Sequence, residues 1–428
     1  MTMTEAFLYY LWRYQLLQNP LHTVDGEEIT IIKTGLLNSD SGPDFFNATI
    51  KMGETIWVGN VEIHVKSSDW EKHGHQHNGA YNNTILHVVF ECDKDCYTQN
   101  GVMLRCLELK DHFNSQIYYK YEYLLHNKNW IPCANNLSEI SDFEWKNWLE
   151  RLAIERLENK SEFVDELLKS TTNDWEKAFF ISIAGYFGQK INKLPFQILA
   201  RSIDLNIIAR HKGQLMQLEA LLFGQAGLLD AETGDIYHSQ LKKEYEFLSK
   251  KYKLVSMPAH LWKYMRLRPA AFPDVRISQL AHLLNKTDFL FSKMLETESL
   301  EQMNQLFSAT ASEFWDSHYR FDVPSPKKPK KLGENSREGI LINSVIPFLF
   351  VFGRHKGEPK FEERAIEFLS KTAPEENQIS KRFGELGFTA QSALESQAML
   401  ELKNNYCEFK KCLDCKIGMT LLNRLEKR

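Results

Sequence analysis

Asp44, Glu62, His64 and Lys66 are the side chains near the start of the chain whose types and spacing suit metal-assisted hydrolysis. Asp44 follows Gly42-Pro43, and the stretch Val61-Glu62-Ile63-His64-Val65-Lys66 comes shortly after it. A β-strand points successive side chains to opposite faces. Val61, Ile63 and Val65 then pack into a core, and Glu62, His64 and Lys66 share the other face. Two carboxylates from neighbouring strands can hold Mg²⁺ or Mn²⁺ through hard oxygen ligands. A nearby cation, His64 or Lys66, can orient or polarise the attacking water. A neutral histidine can itself ligate an ion. The competing reading of the pattern is a solvated polar face on an edge strand.

Other residues offer softer ligands. His73, His75 and His77 stand close together, and His87 follows. His73 and His77 lie among Gly and Asn, where surface polarity is the expected reading. His75 and His87 stay open to both readings. His87 sits in the middle of a strand pattern with Val89 and Glu91 on its face, so that face can adjoin Glu62 and His64. A zinc site would draw on His64, His75 and His87. Cys407, Cys412 and Cys415 place three thiols at the chain end. A C-x-x-C pair can hold zinc or an iron–sulfur cluster, with Cys133 as the candidate fourth ligand. The alternative is that Cys412 and Cys415 face a core. Arg266, Arg268 and Arg276 around a proline-stiffened loop can bind phosphate, but internal salt bridges explain them as well. Lys327–Lys331 reads as a solvated loop or a nucleic-acid contact.

These side chains need a scaffold. Residues 4–17 read as an amphipathic helix with Thr4 as N-cap. Residues 28–33, Asp44 to Lys51, Thr55 to Lys66 and Thr84 to Glu91 read as strands, with Met103 to Leu109 as a further candidate. Gly59-Asn60 suggests a bulge or hairpin inside the third. Residues 69–82 are polar and irregular or partly helical. From Ser141 onward, apolar residues at three- and four-residue spacing indicate helices. The expected fold is α+β: a mixed sheet flanked by helices over residues 1–133, then a mainly helical domain over 134–428.

Composition narrows the classes. The chain has 428 residues, 43% hydrophobic and 25% charged, so it can bury a large core. A net charge of -4 means that any nucleic-acid binding relies on a local basic surface. The most apolar run, Ile340 to Phe352, is too short for a membrane span. The start of the chain lacks the pattern of a secretion signal. Seven cysteines, an odd and sparse set, suit a reducing cytoplasm. No phosphate-binding glycine loop, dinucleotide fingerprint or nucleophile elbow is present.

With GPD at 42–44, EIHVKSS at 62–68 and a helix–strand–strand–strand–helix–strand order, residues 1–110 resemble the PD-(D/E)xK nuclease superfamily. The resemblance implies a nuclease-like α/β domain, with Asp44 and Glu62 on the metal and Glu5 of the first helix assisting. It departs from that pattern at His64, which stands where a lysine is usual, while Lys66 lies one pleat further on. The cysteine set is similar to that of a minority of superfamily members, in which one upstream and three C-terminal cysteines hold a [4Fe–4S] cluster. The whole chain also resembles an uncharacterised bacterial family known only as a domain of unknown function. That resemblance rests on GPDFFNATI, VEIHVKSSDW, YNNTILHVVFE, LRPAAFPDVRISQLA and YCEFKKCLDCKIG. It implies no activity, so function rests on site chemistry.

The leading expectation is a cytoplasmic nucleic-acid phosphodiesterase that uses Asp44, Glu62 and Mg²⁺ or Mn²⁺. A degenerate nuclease-like binding or scaffold protein is the alternative, favoured by His64. A zinc hydrolase is the third.

Overall fold

The structure is a computed structural model that describes residues 3–231 and 233–424. It is mixed α+β and forms two compact units, divided at Trp145/Lys146 rather than at 133/134. The chain from Lys403 onward belongs with the first unit, not with the helical one. The C-terminal cysteines therefore share a unit with Cys133.

The first unit is built on a mixed sheet. Its strands are β1 (Leu21–His22), β2 (Glu28–Lys33), β3 (Leu36–Leu37), β4 (Phe45–Met52), β5 (Thr55–Lys66), β6 (Thr84–Glu91) and β7 (Cys106–Glu108). The order is β1-β2-β4-β5-β6-β7, with β3 also on β4. β2, β4 and β5 run antiparallel, whereas β5, β6 and β7 are parallel. Parallel neighbours need a crossover. Between β5 and β6 it consists of a short helix, α2 (Asp69–Lys72), and the two 3₁₀ turns His75–His77 and Gly79–Tyr81. The first helix, α1 (Glu5–Arg13), is capped by the Thr4 side chain as expected, and both α1 and α2 pack on β5. It ends four residues before the predicted end. A helix not expected from the sequence, α3 (Ser115–His126), starts at the Asn114 side-chain cap.

Gly59-Asn60 makes no hairpin, because β5 runs straight through it. The pairing of β5 with both neighbours instead shifts register beside these residues. Glycine is required there: a Cβ on Gly59 would lie 2.3 Å from Ile85 Cγ2 and 2.7 Å from the Asn83 carbonyl oxygen. That close approach lets β6 enter the sheet alongside the middle of β5.

The second unit is helical. Trp175–Phe187 packs with Gln189–Ser202, Leu215–Gln225 with Ile236–Tyr252 and Pro273–Lys286, and Ile346–Lys356 with Pro359–Lys371. One core holds them, including Phe179, Phe196, Leu221, Leu280 and Phe348. Asp174, Asp204, Asp235, Ser299, Asn377 and Ser392 each cap a helix by accepting a backbone N–H. The apolar run at 340–352 belongs to a helical stretch, Glu334–Lys356, that is long and apolar enough to cross a bilayer by length and composition alone. Of its apolar window, 67% is buried inside the protein, as in the core helix of a globular unit.

Within that stretch, Leu341–Val345 is a π-turn. Lys160 Nζ donates there to the Ile342 carbonyl at 3.3 Å, to Asn343 Oδ1 at 2.8 Å and to Gln397 Oε1 at 2.7 Å. Burial, with Arg156 nearby, lowers the Lys160 pKa to about 7. Between that value and the usual lysine range the unfolded chain holds a proton that the folded chain lacks. Stability should therefore rise with pH across this window. We expect wild type to gain on the order of 2 kcal/mol between pH 7 and 9 relative to Lys160→Met, measured by urea unfolding. Equal pH slopes in the two proteins would refute this.

Candidate metal centre

β5 is an interior strand, paired with β4 and β6 at its edges and packed by α1 and α2. Glu62 is 4% exposed and His64 1%, which removes the reading of a solvated edge. Burying a carboxylate and an imidazole is costly unless each finds partners, and both do.

Asp44 immediately precedes β4. Its backbone N–H donates to Glu62 Oε2 at 3.0 Å. Its carboxylate accepts from the Ile63 N–H at 2.9 Å and from the Tyr9 hydroxyl at 2.7 Å. The two expected residues are therefore neighbours, joined through the Asp44 backbone N–H. Burial, followed by the neighbouring Glu62 charge, pushes Asp44 up to about 7. Glu5, in the first turn of α1, faces the same group: its pKa is raised by burial and lowered by His73 and His75.

The crossover brings the histidines over the carboxylates. His75 Nε2 lies 3.1 Å from Glu62 Oε1, yet the two make no hydrogen bond. His64 Nε2 lies 3.8 Å from the same oxygen and 3.1 Å from His73 Nδ1. One ring nitrogen from each of His64, His73 and His75 falls within a 4.8 Å group. Four ligands about 2.0–2.1 Å from a tetrahedral ion stand roughly 3.3 Å apart. Separations of 3.1 to 3.8 Å lie near that value, so this group could hold a metal ion.

The surroundings hold these rings in place. Tyr81 stacks on His75 with centroids 3.9 Å apart, and Trp70 meets both His75 and His87 edge-on or tilted. His87 is fully buried, and its Nε2 lies 2.8 Å from His64 Nδ1. A donor from His64 Nδ1 to His87 leaves the His64 Nε2 lone pair facing Glu62 and His73, as an outer partner does for a metal-bound imidazole. Burial and the other imidazoles lower His64 to about 2, and burial chiefly lowers His87 to about 3, so both rings are neutral and able to ligate.

Some expectations are corrected by this geometry. His73, read as surface polarity, is exposed, and its Nδ1 also lies 3.1 Å from His64 Nε2. His87, offered as a zinc ligand, stands behind His64 instead. Lys66 does not join the centre: it is about half exposed and pairs with Glu91 at 3.6 Å. Arg276 is buried, bonded to Gln279 and Ser336, and does not present its guanidinium for phosphate. Lys330 is likewise buried against the ring of Tyr319. His73 and Tyr9 are the contributors that sequence reasoning passed over. A His-x-His pair just past the end of a strand that enters a crossover was the available signal.

The cysteines also gather. Cys133, Cys412 and Cys415 are buried, and each of the six pairs among Cys133, Cys407, Cys412 and Cys415 interacts electrostatically. Burial first, then the neighbouring thiols, pushes Cys133 and Cys412 up to about 12 and Cys407 well above its ordinary value. Cys415 stands at the N-cap position of the helix Lys416–Asn423. That helix packs so closely on the cysteine turn that a Cβ on Gly418 would lie 2.1 Å from the Cys412 carbonyl oxygen.

No curated protein and no solved structure is significantly similar to the chain. Residues 5–378 match a protein family across both units. The chain belongs to the family described as Protein of unknown function (DUF2851).

Proposed function

We propose that the chain is a metal-dependent phosphodiesterase acting on nucleic acid, with its ion held by Glu62, His64, His73 and His75. The observation that carries this reading is the approach of three imidazole nitrogens within 4.8 Å of one another, with a Glu62 oxygen 3.1 Å from one of them. Imidazole-rich donors favour zinc and its neighbours over magnesium. Such an ion supplies Lewis acidity and lowers the pKa of a water. Asp44, oriented by Tyr9 and Ile63, stands where it can accept a proton beside Glu62. Glu5 adds a third carboxylate at the rim.

A second reading places Mg²⁺ or Mn²⁺ on Asp44 and Glu62. It is favoured by the contact between those two residues, in which the Asp44 N–H donates to Glu62 Oε2. The two readings separate on metal content. Protein purified without added metal should carry about one equivalent of a zinc-class ion under the first. It should cleave labelled DNA or RNA, lose activity to a chelator and lose it in Asp44→Asn. Activity that returns only with Mg²⁺ or Mn²⁺, in protein lacking bound zinc, would favour the second. Substrates left intact with every ion would end both.

The cysteine set we read as a structural zinc or iron–sulfur site that ties the chain end to Cys133. Burial and mutual proximity of four thiols support it, because only positive charge among them would stabilise thiolates. A reducing cytoplasm suits it.

A further inference from the structure

A cavity of about 370 Å³ in the first unit lies beside the candidate centre, and Tyr9 links the two. The Tyr9 ring lines the cavity, while its hydroxyl donates to Asp44 Oδ1 at 2.7 Å. Glu5, Tyr9 and Arg13 follow one another at four-residue spacing on α1 and so form one stripe of the helix. Glu5 interacts with His73, His75 and Glu62, and Arg13 lines the cavity. The stripe thus runs from the centre into the cavity.

Two ring–cation pairs from separate parts of the chain line it. Arg13 lies 5.4 Å from the centroid of the Tyr14 ring, and Lys411 Nζ lies 5.8 Å from that of Phe409. Phe409 is 67% exposed and Tyr14 38%, so both residues reach solvent. Lys410 adds a third cation, held at the Leu125 carbonyl, against a single lining carboxylate, Asp414. A ring to stack a base, with a cation beside it for the phosphate, is the basis of single-strand recognition. A duplex keeps its bases stacked on one another and cannot cover these rings.

We propose that this cavity is a binding groove for single-stranded nucleic acid and leads the strand toward Asp44 and Glu62. The inference rests on the phosphodiesterase reading for its orientation, not for the binding itself. Binding is therefore measured with the metal content left intact, by fluorescence anisotropy, with a labelled, hydrolysis-resistant phosphorothioate DNA or RNA strand and the matching duplex. The single strand should bind at least about tenfold tighter than the duplex. Phe409→Ala should weaken it about tenfold, the loss of one stacked base. Arg13→Ala with Lys411→Ala should reduce the salt slope by about 0.7 per lost phosphate contact. His64→Ala should bind like wild type, since His64 does not line the cavity. The three residues altered in the groove are exposed, so melting temperatures should not change. No binding by wild type, equal duplex binding, or unaltered binding in both groove variants would overturn the groove. Binding of the expected kind without hydrolysis in any metal would leave the groove standing and remove the phosphodiesterase. Hydrolysis of single strands that the groove variants leave untouched would remove the groove alone.

Discussion

His64→Ala should leave the protein folded, empty of its ion and without hydrolytic activity. His64 meets Glu62 at 3.8 Å and His73 at 3.1 Å, so its nitrogen belongs to two edges of the donor set. Its removal takes out a ligand and also the partner of His87. Outer partners of metal ligands typically govern roughly 10–100-fold in affinity or activity. Loss of a ligand should exceed that, and His87→Ala should fall within it. The two variants therefore separate direct coordination from positioning. Ion content by elemental analysis and cleavage rate with the ion resupplied give the two readouts, with circular dichroism as a check on folding. Wild-type metal content in His64→Ala would sink the proposed centre. An equal loss in His87→Ala would mean that the two rings cannot be ranked as ligand and support.

Cys412→Ser should produce the largest change in stability. A structural zinc contributes an apparent roughly 10–16 kcal/mol in small metal-dependent peptides, because the unfolded chain has no preformed site. In the first unit the sheet and helices supply stability of their own, so that figure is a ceiling. Several kcal/mol should still be lost. The closed loop is long, running from Cys133 through the residues of the helical unit to the C-terminal thiols, so closing it removes chain entropy from the unfolded state. The protein should be purified anaerobically and assayed for iron, zinc and visible absorbance, then unfolded in urea beside Cys412→Ser. Iron with visible absorbance would identify a cluster, and colourless stoichiometric zinc an ion. Metal-free protein with the mutant as stable as wild type would make these packing cysteines. A separate count for the histidine centre follows from His64→Ala, which should lose its own ion and keep the cysteine-bound metal.

The sequence by itself determined the strands that matter. Alternation through Val61–Lys66 gave β5, and the apolar run at Thr84–Glu91 gave β6, because a strand's period of two is local and strong. It also named Asp44 and Glu62, and these meet. The long helices after Ser141 were legible from apolar spacing. Shorter ones such as Leu205–Arg210 and Leu300–Leu306 were not, since a short helix has little periodicity to read.

Only tertiary structure decided which histidines join the carboxylates. His73 and His75 sit in a polar crossover whose composition looks like a loop, yet parallel pairing of β5 with β6 folds that crossover back over the sheet. His87 is carried behind His64 by the strand register, which pairs Glu62 with His87 and His64 with Val89. Lys66 shares the face of Glu62 and His64, as alternation requires, but lies beyond the covered part of the strand and turns to Glu91. The return of the C-terminal segment to Cys133 was likewise invisible to periodicity, because a contact across so long a separation is set by packing of whole elements. Local pattern fixes an element and its faces. Which faces meet, and therefore which ligands converge, depends on strand order and crossover, and those are properties of the folded chain.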